Sequence, residues 1–510
     1  MYSITMFRKV LIANRGEIAV RILRACREMG IPSACVFSEV DRTALHVRLA
    51  EEAYPVGAAA SRESYLRIDK LIDVARRAGC DAIHPGYGFL AENPAFPRAC
   101  ADAGITFIGP SAETMEMMGS KTAGKQLARR ASVPTVPGND EAIESPEEAQ
   151  ALADVMGYPV VLKAVAGGGG KGMRVVNDEH AFAAAWRDAS SEALNAFGDA
   201  RLFLEKYLAS PRHIEIQIFA DAHGRVVSLG ERECSIQRRH QKVIEEAPSP
   251  VVTPDLRRKM GEAAVRLARA GGYVNAGTIE FLVDANLNFY FLEVNTRLQV
   301  EHPVTEQVTG LDLVKLQIAI AAGHRLPFAW ETITPRGHAI EVRLYAEDPD
   351  NNFFPCPGKI LARRISTGPG IRVDEGVYRG WNVPIEYDPL LSKLIAWGNS
   401  REESISRLRR ALDEYTITGI RTNVSLFRRI LSEPEFLSGE IHTRWLDDFL
   451  ARPRPTAAPP RAGTEAAAAI AAAYWESLQP VNGAPPASAT DAGPSRWKQQ
   501  ARRSQVDRQP

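Results

Sequence analysis

Apolar positions near the N-terminus follow two different spacings. Short apolar runs, such as Val10 to Ala13 and Ser33 to Phe37, are bounded by polar residues and predict buried strands. Between them, Ile18, Ile22 and Ala25 recur at the spacing of one helix face. Strands and helices in alternation predict a mostly parallel sheet built from βαβ units.

The pattern changes in the middle of the chain. Over residues 212–305 apolar and polar positions alternate, as Ile214, Glu215, Ile216 and Gln217 illustrate. Alternation with a period of two predicts antiparallel strands that place one face in the core. This part of the chain is therefore expected to differ in sheet type from the N-terminal part.

Two further strand-like runs, Ala339 to Tyr345 and Leu391 to Trp397, precede a helical pattern over Arg401 to Tyr415. After Leu450 the composition changes to alanine, proline and arginine. Such a composition predicts a linker-like tail, here with a short alanine-rich helix over 464–478. The expected fold class is a multidomain protein of α/β and α+β type.

Composition narrows the possible functions. At 510 residues the chain is too long for a single core, so several domains are expected. Lys plus Arg and Asp plus Glu each number 62, so no net charge favours nucleic acid or a membrane surface. The 6 cysteines form no CxxC pair, which argues against zinc and disulfides and fits a reducing compartment. No apolar leader precedes Lys9, and a cytoplasmic protein is expected.

A glycine run within Val160 to Val176 separates two strand-like segments, and Lys163 and Lys171 bracket the run. Glycines allow backbone amides to close on phosphate oxygens, so the segment predicts a phosphate-binding loop. A dinucleotide site is disfavoured because a strand, not a helix, follows the glycines. A P-loop is disfavoured because Gly172 follows the lysine where Ser or Thr would hold magnesium. The alternative interpretation is a flexible linker.

A second motif is a predicted β-hairpin whose strands are Thr278 to Val283 and Phe289 to Asn295. The pairing places Glu280 and Glu293 almost opposite each other among apolar residues. Two unpaired carboxylates there would be costly, and a hard cation such as magnesium would stabilise them. Asn295 lies two residues beyond Glu293 and is therefore expected on the same face.

The polar positions continue beyond the hairpin at a period of two, as Arg297, Gln299 and Glu301. If the strand extends this far, a guanidinium, an amide and a carboxylate follow one another beside the metal. Such a row suits a small anion, such as bicarbonate, held next to the γ-phosphate of a nucleotide. The alternative is an amphipathic edge strand with a solvated polar face.

Four segments together resemble biotin carboxylases: His84 to Asn93, Gly167 to Met173, Glu231 to Lys242 and Glu293 to Pro303. The resemblance extends from about residue 7 to residue 450. It implies an N-terminal α/β domain over 6–120, an ATP-grasp domain over 121–331 with a mobile lid at about 136–209, a mixed α/β C-terminal domain over 332–451, and a tail over 452–510.

The resemblance also implies the ligands and their residues. The cofactors would be ATP and two Mg²⁺ (or Mn²⁺) ions, with the metal ligands Glu280, Glu293 and Asn295. Bicarbonate would bind Lys242, Arg297, Gln299 and Val300. ATP would bind Lys121, Lys163, Gly168, Gly169, Gly170, Glu205, Lys206, Leu208, His213, Gln237, His240, Glu280 and Glu293.

In the mechanism implied by the resemblance, Glu301 accepts the bicarbonate proton, and Lys242 and Arg297 assist. Bicarbonate attacks the γ-phosphate to form carboxyphosphate, which releases CO₂ and phosphate beside the biotin ureido group. Arg343 stabilises the enolate oxygen that develops on biotin, although an arginine taken alone is more often a structural ion-pair partner.

The sequence contains no Ala-Met-Lys-Met segment. The resemblance therefore implies that biotin arrives on a separate carboxyl carrier protein, and that a separate carboxyltransferase uses an acyl-CoA or a similar acceptor. A homodimer is also implied. Two alternatives stay open: another ATP-grasp ligase, and a non-catalytic nucleotide-binding subunit of a carboxylase complex. The second would be favoured if Glu280, Glu293, Lys242 or Arg343 were replaced, and none is.

Overall fold

The structure is a computed structural model that describes residues 6–139, 142–143, 145–165, 173–239, 241–328, 333–453 and 463–477. The chain divides into two compact units, Met1–Ala451 and Arg452–Pro510. The first unit contains all of the sheets described below. Four of the predicted ATP-binding positions, Gly168, Gly169, Gly170 and His240, lie outside the described residues.

The N-terminal region is a five-stranded parallel sheet in the order β3-β2-β1-β4-β5. The predicted βαβ alternation is confirmed, and Ile18, Ile22 and Ala25 of the first helix are buried against the sheet. Its elements are β1 (Val10–Ile12), α1 (Gly16–Glu28), β2 (Ser33–Ser38), α2 (Leu45–Leu49), β3 (Glu52–Gly57), α3 (Ile68–Arg77), β4 (Ala82–His84), α4 (Ala95–Asp102), β5 (Thr106–Phe107) and α5 (Ala112–Gly119).

A small sheet with its own core follows. Its order is β7-β6-β8, and β6 pairs antiparallel with both neighbours. The element after the glycine run is thus a strand and not a helix, as predicted when a dinucleotide site was excluded. The elements are α6 (Lys121–Arg130), α7 (Pro146–Met156), β6 (Val160–Ala164), β7 (Met173–Val176), α8 (Glu179–Phe197) and β8 (Leu202–Lys206).

The largest sheet begins with antiparallel strands in the predicted 212–305 region. Thr253 starts the long helix of this region, since its side chain accepts a hydrogen bond from the Leu256 amide and Pro254 takes the first helical position. The elements are β9 (Arg212–Ala220), β10 (Val226–Arg238), β11 (Gln241–Ala247), α9 (Pro254–Ala270), β12 (Asn275–Val283), β13 (Phe289–Asn295), α10 (His302–Thr309) and α11 (Leu313–Ala321).

The C-terminal region continues this sheet. Its remaining elements are β14 (His338–Tyr345), β15 (Glu347–Asp348), β16 (Phe354–Pro355), β17 (Gly358–Lys359), β18 (Ala362–Arg364), β19 (Ile371–Glu375), β20 (Asn382–Val383), β21 (Leu390–Gly398), α12 (Arg401–Glu414), β22 (Thr416–Thr418), α13 (Val424–Ile430), α14 (Pro434–Ser438) and α15 (Trp445–Ala451). The complete order is β13-β12-β9-β10-β11-β14-β21-β19. Because β11 pairs with β14, this sheet is continuous across the predicted domain boundary near residue 331.

The expectation that the strand of Glu293 extends through Glu301 is wrong. Strand β13 ends at Asn295. The next amide, of Thr296, donates to the Glu92 side chain at 3.1 Å instead of to a strand. Glu301 has φ −80° and ψ 11° and directly precedes α10, whose first turn contains Pro303. Proline at that position favours the start of a helix, so residues 296–301 form a connection that bends into α10.

The second unit contains the helix α16 (Thr464–Ser477), within the alanine-rich segment. Ile470 and Tyr474 of this helix are exposed. Among the helices in the described ranges, none combines the length and apolarity needed to cross a bilayer.

Candidate functional site

The centre of the candidate site is the ammonium group of Lys242 on β11. Its Nζ donates to Glu215 at 2.5 Å, to Glu280 at 2.8 Å and to Glu301 at 2.7 Å. Strand pairing brings two of these carboxylates together, because Glu280 of β12 is the direct partner of Glu215 on β9. Burial alone would lower the pKa of Lys242, but the three carboxylates raise it well above its usual value. A buried, permanently charged cation therefore lies where the sequence predicts bicarbonate.

Glu301 lies between two cations. Its carboxylate accepts from Lys242 on one side and from Arg343 Nη2 at 2.8 Å on the other. The side chain has no exposed surface. Burial would raise the pKa of Glu301, but Lys242, Arg343 and Arg232 lower it far below its usual value. A carboxylate held in this way is ionised at neutral pH and becomes a better base only when its two donors turn to a substrate.

Arg343 lies on β14 with its guanidinium directed at two carboxylates. Besides Glu301 it contacts Glu245, to which Nε donates at 2.6 Å. The two strands that carry Arg343 and Glu245 are neighbours in the sheet. Burial raises the pKa of Glu245 to about 7, against the lowering effect of Arg343. The position of Arg343 is thus compatible with both predicted roles, as a structural ion-pair residue and as a residue of the site.

Glu280 and Glu293 are direct partners across the β12–β13 hairpin, as the spacing predicted. The Glu293 carboxylate has no hydrogen-bond partner among the described residues. Burial and the adjacent Glu280 charge raise the pKa of Glu293. A half-buried carboxylate without a donor, beside a second carboxylate, fits a hard divalent cation, since oxygen ligands are what magnesium prefers.

Glu280 receives donors from several directions. Oε1 accepts from Asn295 at 2.9 Å and from Gln299 at 3.2 Å, in addition to Lys242. His213 Nε2 lies 3.0 Å from Oε2. Burial would lower the pKa of His213, but the Glu280 carboxylate raises it above the usual value. Glu280 Oε1 is thus shared by three donors, and one of them is Asn295, a predicted metal ligand.

Arg297 completes the anion side of the site. Its Nη1 donates to Gln299 at 2.7 Å, and its Nε donates at 2.7 Å to Glu92 from the N-terminal region. Although the predicted strand does not form, Arg297 contacts Gln299, Gln299 contacts Glu280, and Lys242 joins Glu280 to Glu301. The bend before α10, and not strand periodicity, therefore brings these side chains to one network.

Several of the residues predicted to bind ATP lie on or beside the small sheet. Lys163 on β6 contacts Glu205 on β8, and Lys125 on α6 contacts the same carboxylate at 2.7 Å. Burial would raise the pKa of Glu205, but these two lysines lower it. The Lys206 amide donates to the Pro137 carbonyl at 2.8 Å, so that N–H group is not available to adenine. Leu208 lies between β8 and β9, half-buried.

The other residues that were predicted to bind the nucleotide lie in three different surroundings. The side-chain nitrogen of Gln237 lies 3.0 Å from His213 Nδ1, so these two predicted residues are neighbours. Lys121 is exposed at the first position of α6. The side chain of Lys206 donates to the carbonyl oxygens of Gly157, at 2.8 Å, and Tyr158, at 3.1 Å. The Lys206 ammonium is thereby fixed to the segment before β6.

A cavity of about 460 Å³ adjoins Val300 and Arg343. Both the N-terminal and the C-terminal regions line it, and its wall includes Tyr87, Arg297, Val300, Arg343 and Tyr387. A cavity of this size holds a small organic ligand. Its position places such a ligand against the guanidinium of Arg343.

The sequence interpretation missed several residues of the site. Glu215 and Arg232 form a fully buried ion pair at 2.5 Å under Lys242, and Glu245 holds Arg343. In the sequence Glu215 is one polar position of an alternating strand. Only its pairing with Glu280 shows that it lies beside Lys242. Lys125 lies one helical turn after Lys121, the predicted ligand. Glu92 belongs to the His84 to Asn93 motif, which indicated the family but not this contact.

Comparisons with known proteins agree with this geometry. The family model for the biotin carboxylase N-terminal domain matches residues 6–115. The model for the ATP-binding domain of the carbamoyl-phosphate synthase L chain matches residues 120–329. The model for the biotin carboxylase C-terminal domain matches residues 341–448.

Two curated relatives match most of the chain. A biotin carboxylase of Halalkalibacterium halodurans is 53% identical over 445 residues, which are 87% of this chain and 98% of the relative. A biotin carboxylase of Nostoc is 52% identical over 443 residues, which are 87% of this chain and 99% of the relative.

Solved structures agree as well. A complex of biotin carboxylase from Campylobacter jejuni has a TM-score of 0.80 at 46% identity, over 87% of this chain and 99% of the other. The biotin carboxylase domain of Hydrogenobacter thermophilus 2-oxoglutarate carboxylase, in complex with MgADP, ADP and bicarbonate, has a TM-score of 0.79 at 46% identity. It covers 88% of this chain and 100% of that one. The chain therefore belongs to the biotin carboxylase family of ATP-dependent ligases.

Proposed function

We propose that this chain carboxylates biotin on a separate carrier protein, with bicarbonate as the carbon source and ATP as the energy source. One observation supports the proposal above the others: the buried Glu301 carboxylate lies between Lys242 and Arg343, beside the opposed pair Glu280 and Glu293. A base, an anion site and a cation site thus adjoin one another. Such a combination suits the activation of a small anion by phosphoryl transfer.

In the first step, bicarbonate binds Lys242, Arg297, Gln299 and Val300. Lys242 and Arg297 can turn toward the anion because most of their contacts are to side chains that a bound substrate can replace. As Lys242 turns away from Glu301, the Glu301 carboxylate becomes basic enough to accept the bicarbonate proton. The bicarbonate oxygen then attacks the γ-phosphate of ATP, which gives carboxyphosphate and ADP.

Magnesium or manganese, two ions in all, would be held by Glu280, Glu293 and Asn295 and would neutralise charge on the phosphate oxygens. Lys121, Lys163 and the glycines 168–170 would bind the phosphates. Glu205, Lys206 and Leu208 would bind adenine, and His213, Gln237 and His240 would line the ribose and phosphate side. The Lys206 N–H is excluded from the adenine contact, because it donates to the Pro137 carbonyl.

In the second step, carboxyphosphate breaks down to CO₂ and phosphate, and the phosphate takes the proton from the biotin ureido nitrogen. The cavity beside Arg343 would hold the biotin ring. Arg343 can then stabilise the negative charge that develops on the ureido oxygen, because a guanidinium donates two directed hydrogen bonds to an oxyanion. The nitrogen finally attacks CO₂.

We further propose that the chain works in the cytoplasm as a homodimer, with a biotin carboxyl carrier protein and a carboxyltransferase as partners. The acceptor would be an acyl-CoA or a related acid. Within the chain we propose the division 6–120, 121–331, 332–451 and 452–510, with the lid at about 136–209. The family models match close to the first three of these ranges.

The proposal is tested with labelled bicarbonate. Incubation of the chain with ATP, Mg²⁺, ¹⁴C-bicarbonate and a biotinylated carrier domain should place acid-labile label on the carrier. The same domain without biotin is the matched control. Label that is absent from the biotinylated domain while ATP is still cleaved would exclude biotin as the acceptor.

A further inference from the structure

The fully buried Lys393 of β21 connects three parts of the site without belonging to it. Its Nζ donates to the Val300 carbonyl at 2.8 Å and lies 3.1 Å from Glu17 Oε1. Neither side chain is exposed by more than 2%. Glu17 in turn accepts from the Tyr87 hydroxyl. One ammonium group therefore joins the C-terminal region to α1 and to the connection that carries the bicarbonate residues.

The position of Lys393 is set by the sheet. It is the direct partner of Arg343 across the β14–β21 pair, so both side chains lie on the face directed at the site. Arg343 reaches Glu301, and Lys393 reaches Val300, the residue just before it. The two neighbouring cations thus hold successive residues of the same connection, one through a side chain and one through the backbone.

The connection over residues 296–301 has few backbone hydrogen bonds of its own, so the hydrogen bond from Lys393 is expected to stabilise it. Residues 296–301 leave the sheet after Asn295 and therefore lack ladder hydrogen bonds to a neighbouring strand. Their side chains are held by Lys242 and Arg343, which bind Glu301, and their backbone is held by Glu92, which receives the Thr296 amide, by the start of α10 and by Lys393. Removal of Lys393 would take a charged donor from the carbonyl of the partly buried Val300, and loss of that hydrogen bond favours a local shift of the backbone.

We propose that Lys393 is a positioning residue for carboxylation: it holds the Val300 carbonyl and thereby aligns Arg297, Gln299 and Glu301 on bicarbonate. The inference rests on the proposed function for its kinetic consequence, but its structural consequence can be measured without turnover. Because Lys393 is buried behind the connection, it acts on the substrate only through these residues. Glu17 serves as its counter-ion and fixes the wall of the cavity at Tyr87.

The test uses three variants of the full chain. Lys393→Met removes the ammonium and keeps the length of the side chain, but it leaves Glu17 buried without a cation, which destabilises the fold. The double variant Lys393→Met/Glu17→Gln removes that unpaired charge as well. Glu17→Gln alone keeps the Lys393–Val300 hydrogen bond. Lys359→Met, at an exposed lysine of the same region, is the matched control.

Two measurements follow. Hydrogen exchange in peptides that cover 296–303 should increase in the double variant and stay at the wild-type level in Glu17→Gln and Lys359→Met. The KM for bicarbonate should rise about tenfold in the double variant, as expected for loss of a charge-assisted hydrogen bond, while the KM for ATP stays unchanged.

The outcomes separate the two proposals. Unchanged exchange in 296–303 in the double variant would overturn the positioning role, even if the wild-type protein had no activity. If the wild type is active, equal rises of the KM for bicarbonate and the KM for ATP in the double variant would also overturn the positioning role, since that result indicates a general structural role. A wild type that cleaves no ATP with bicarbonate would instead contradict the proposed function, and the exchange result would still decide the inference.

Discussion

The Glu301 carboxylate and the Arg343 guanidinium are joined by a hydrogen bond of 2.8 Å, although 42 positions separate them in the chain. The two groups that would act on different substrates, bicarbonate and biotin, are thus direct partners. A substrate that draws one of them away would leave the other without this contact. Binding of biotin beside Arg343 is therefore expected to affect the basicity of Glu301, which links the two half-sites.

Replacement of the proposed base is the first prediction. Glu301→Gln keeps the size of the side chain but removes the proton acceptor, so kcat for bicarbonate-dependent ATP cleavage should fall at least about 100-fold. Binding of ADP, measured by fluorescence titration, should stay near the wild-type value. Glu262→Gln, at a half-buried residue of α9 away from the site, is the control and should keep full activity. Full activity of Glu301→Gln would remove Glu301 from the role of base.

The second prediction concerns the cation. Glu293 has no donor of its own in the described part of the chain and lies opposite Glu280, so Glu293→Gln should fold normally and even lose a charge repulsion. The Mg²⁺ concentration for half-maximal turnover should rise about tenfold or more, because one carboxylate ligand is gone. Titration of turnover with Mg²⁺ at fixed ATP measures this. An unchanged metal dependence would place the cation elsewhere.

The third prediction concerns the stability of the large sheet. Glu246 on β11 contacts His338 on β14 and Arg401 at the start of α12, each at 2.7 Å. Burial would raise the pKa of Glu246, but these partners lower it from 4.5 to about 2. Since the folded pKa is depressed, the stabilisation is complete above about pH 4.5 and is lost as the pH falls toward 2.

Glu246→Gln should therefore reduce the free energy of unfolding by about 3 kcal/mol at pH 7, the equivalent of that shift. The thermal midpoints of variant and wild type should approach each other between pH 5 and about 3, as measured by calorimetry. A difference between the two thermal midpoints that stays constant over this pH range would show that the ionised form of Glu246 is not responsible for the stabilisation.

Much of the fold followed from sequence pattern. The parallel N-terminal sheet, the antiparallel middle and the Glu280–Glu293 pairing each depend on local periodicity and on a turn between adjacent strands, which a sequence displays directly. The continuation of the large sheet from β11 to β14 could not be read in the same way. It depends on a contact between strands that are far apart in the chain.

In the candidate site, too, local pattern was predictable and contacts between distant parts of the chain were not. Arg297, Gln299 and Glu301 were predicted at the site, but through a strand that does not form, because Pro303 and the Glu92 contact favour a bend and a helix. Glu215 was missed because one carboxylate in an alternating strand has no signature until its neighbours are known. Lys393 lies within a run of apolar residues and carried no motif at all.

Transfer of activated bicarbonate to biotin is tested by the rate of ATP cleavage with and without biotin, in a buffer that contains Mg²⁺ and bicarbonate. If bicarbonate is activated for transfer to biotin in the cavity beside Arg343, free biotin or a biotinylated carrier should increase the rate of ADP formation several-fold. Omission of bicarbonate should abolish the increase. Equal rates of ADP formation in the presence and absence of biotin would contradict the account.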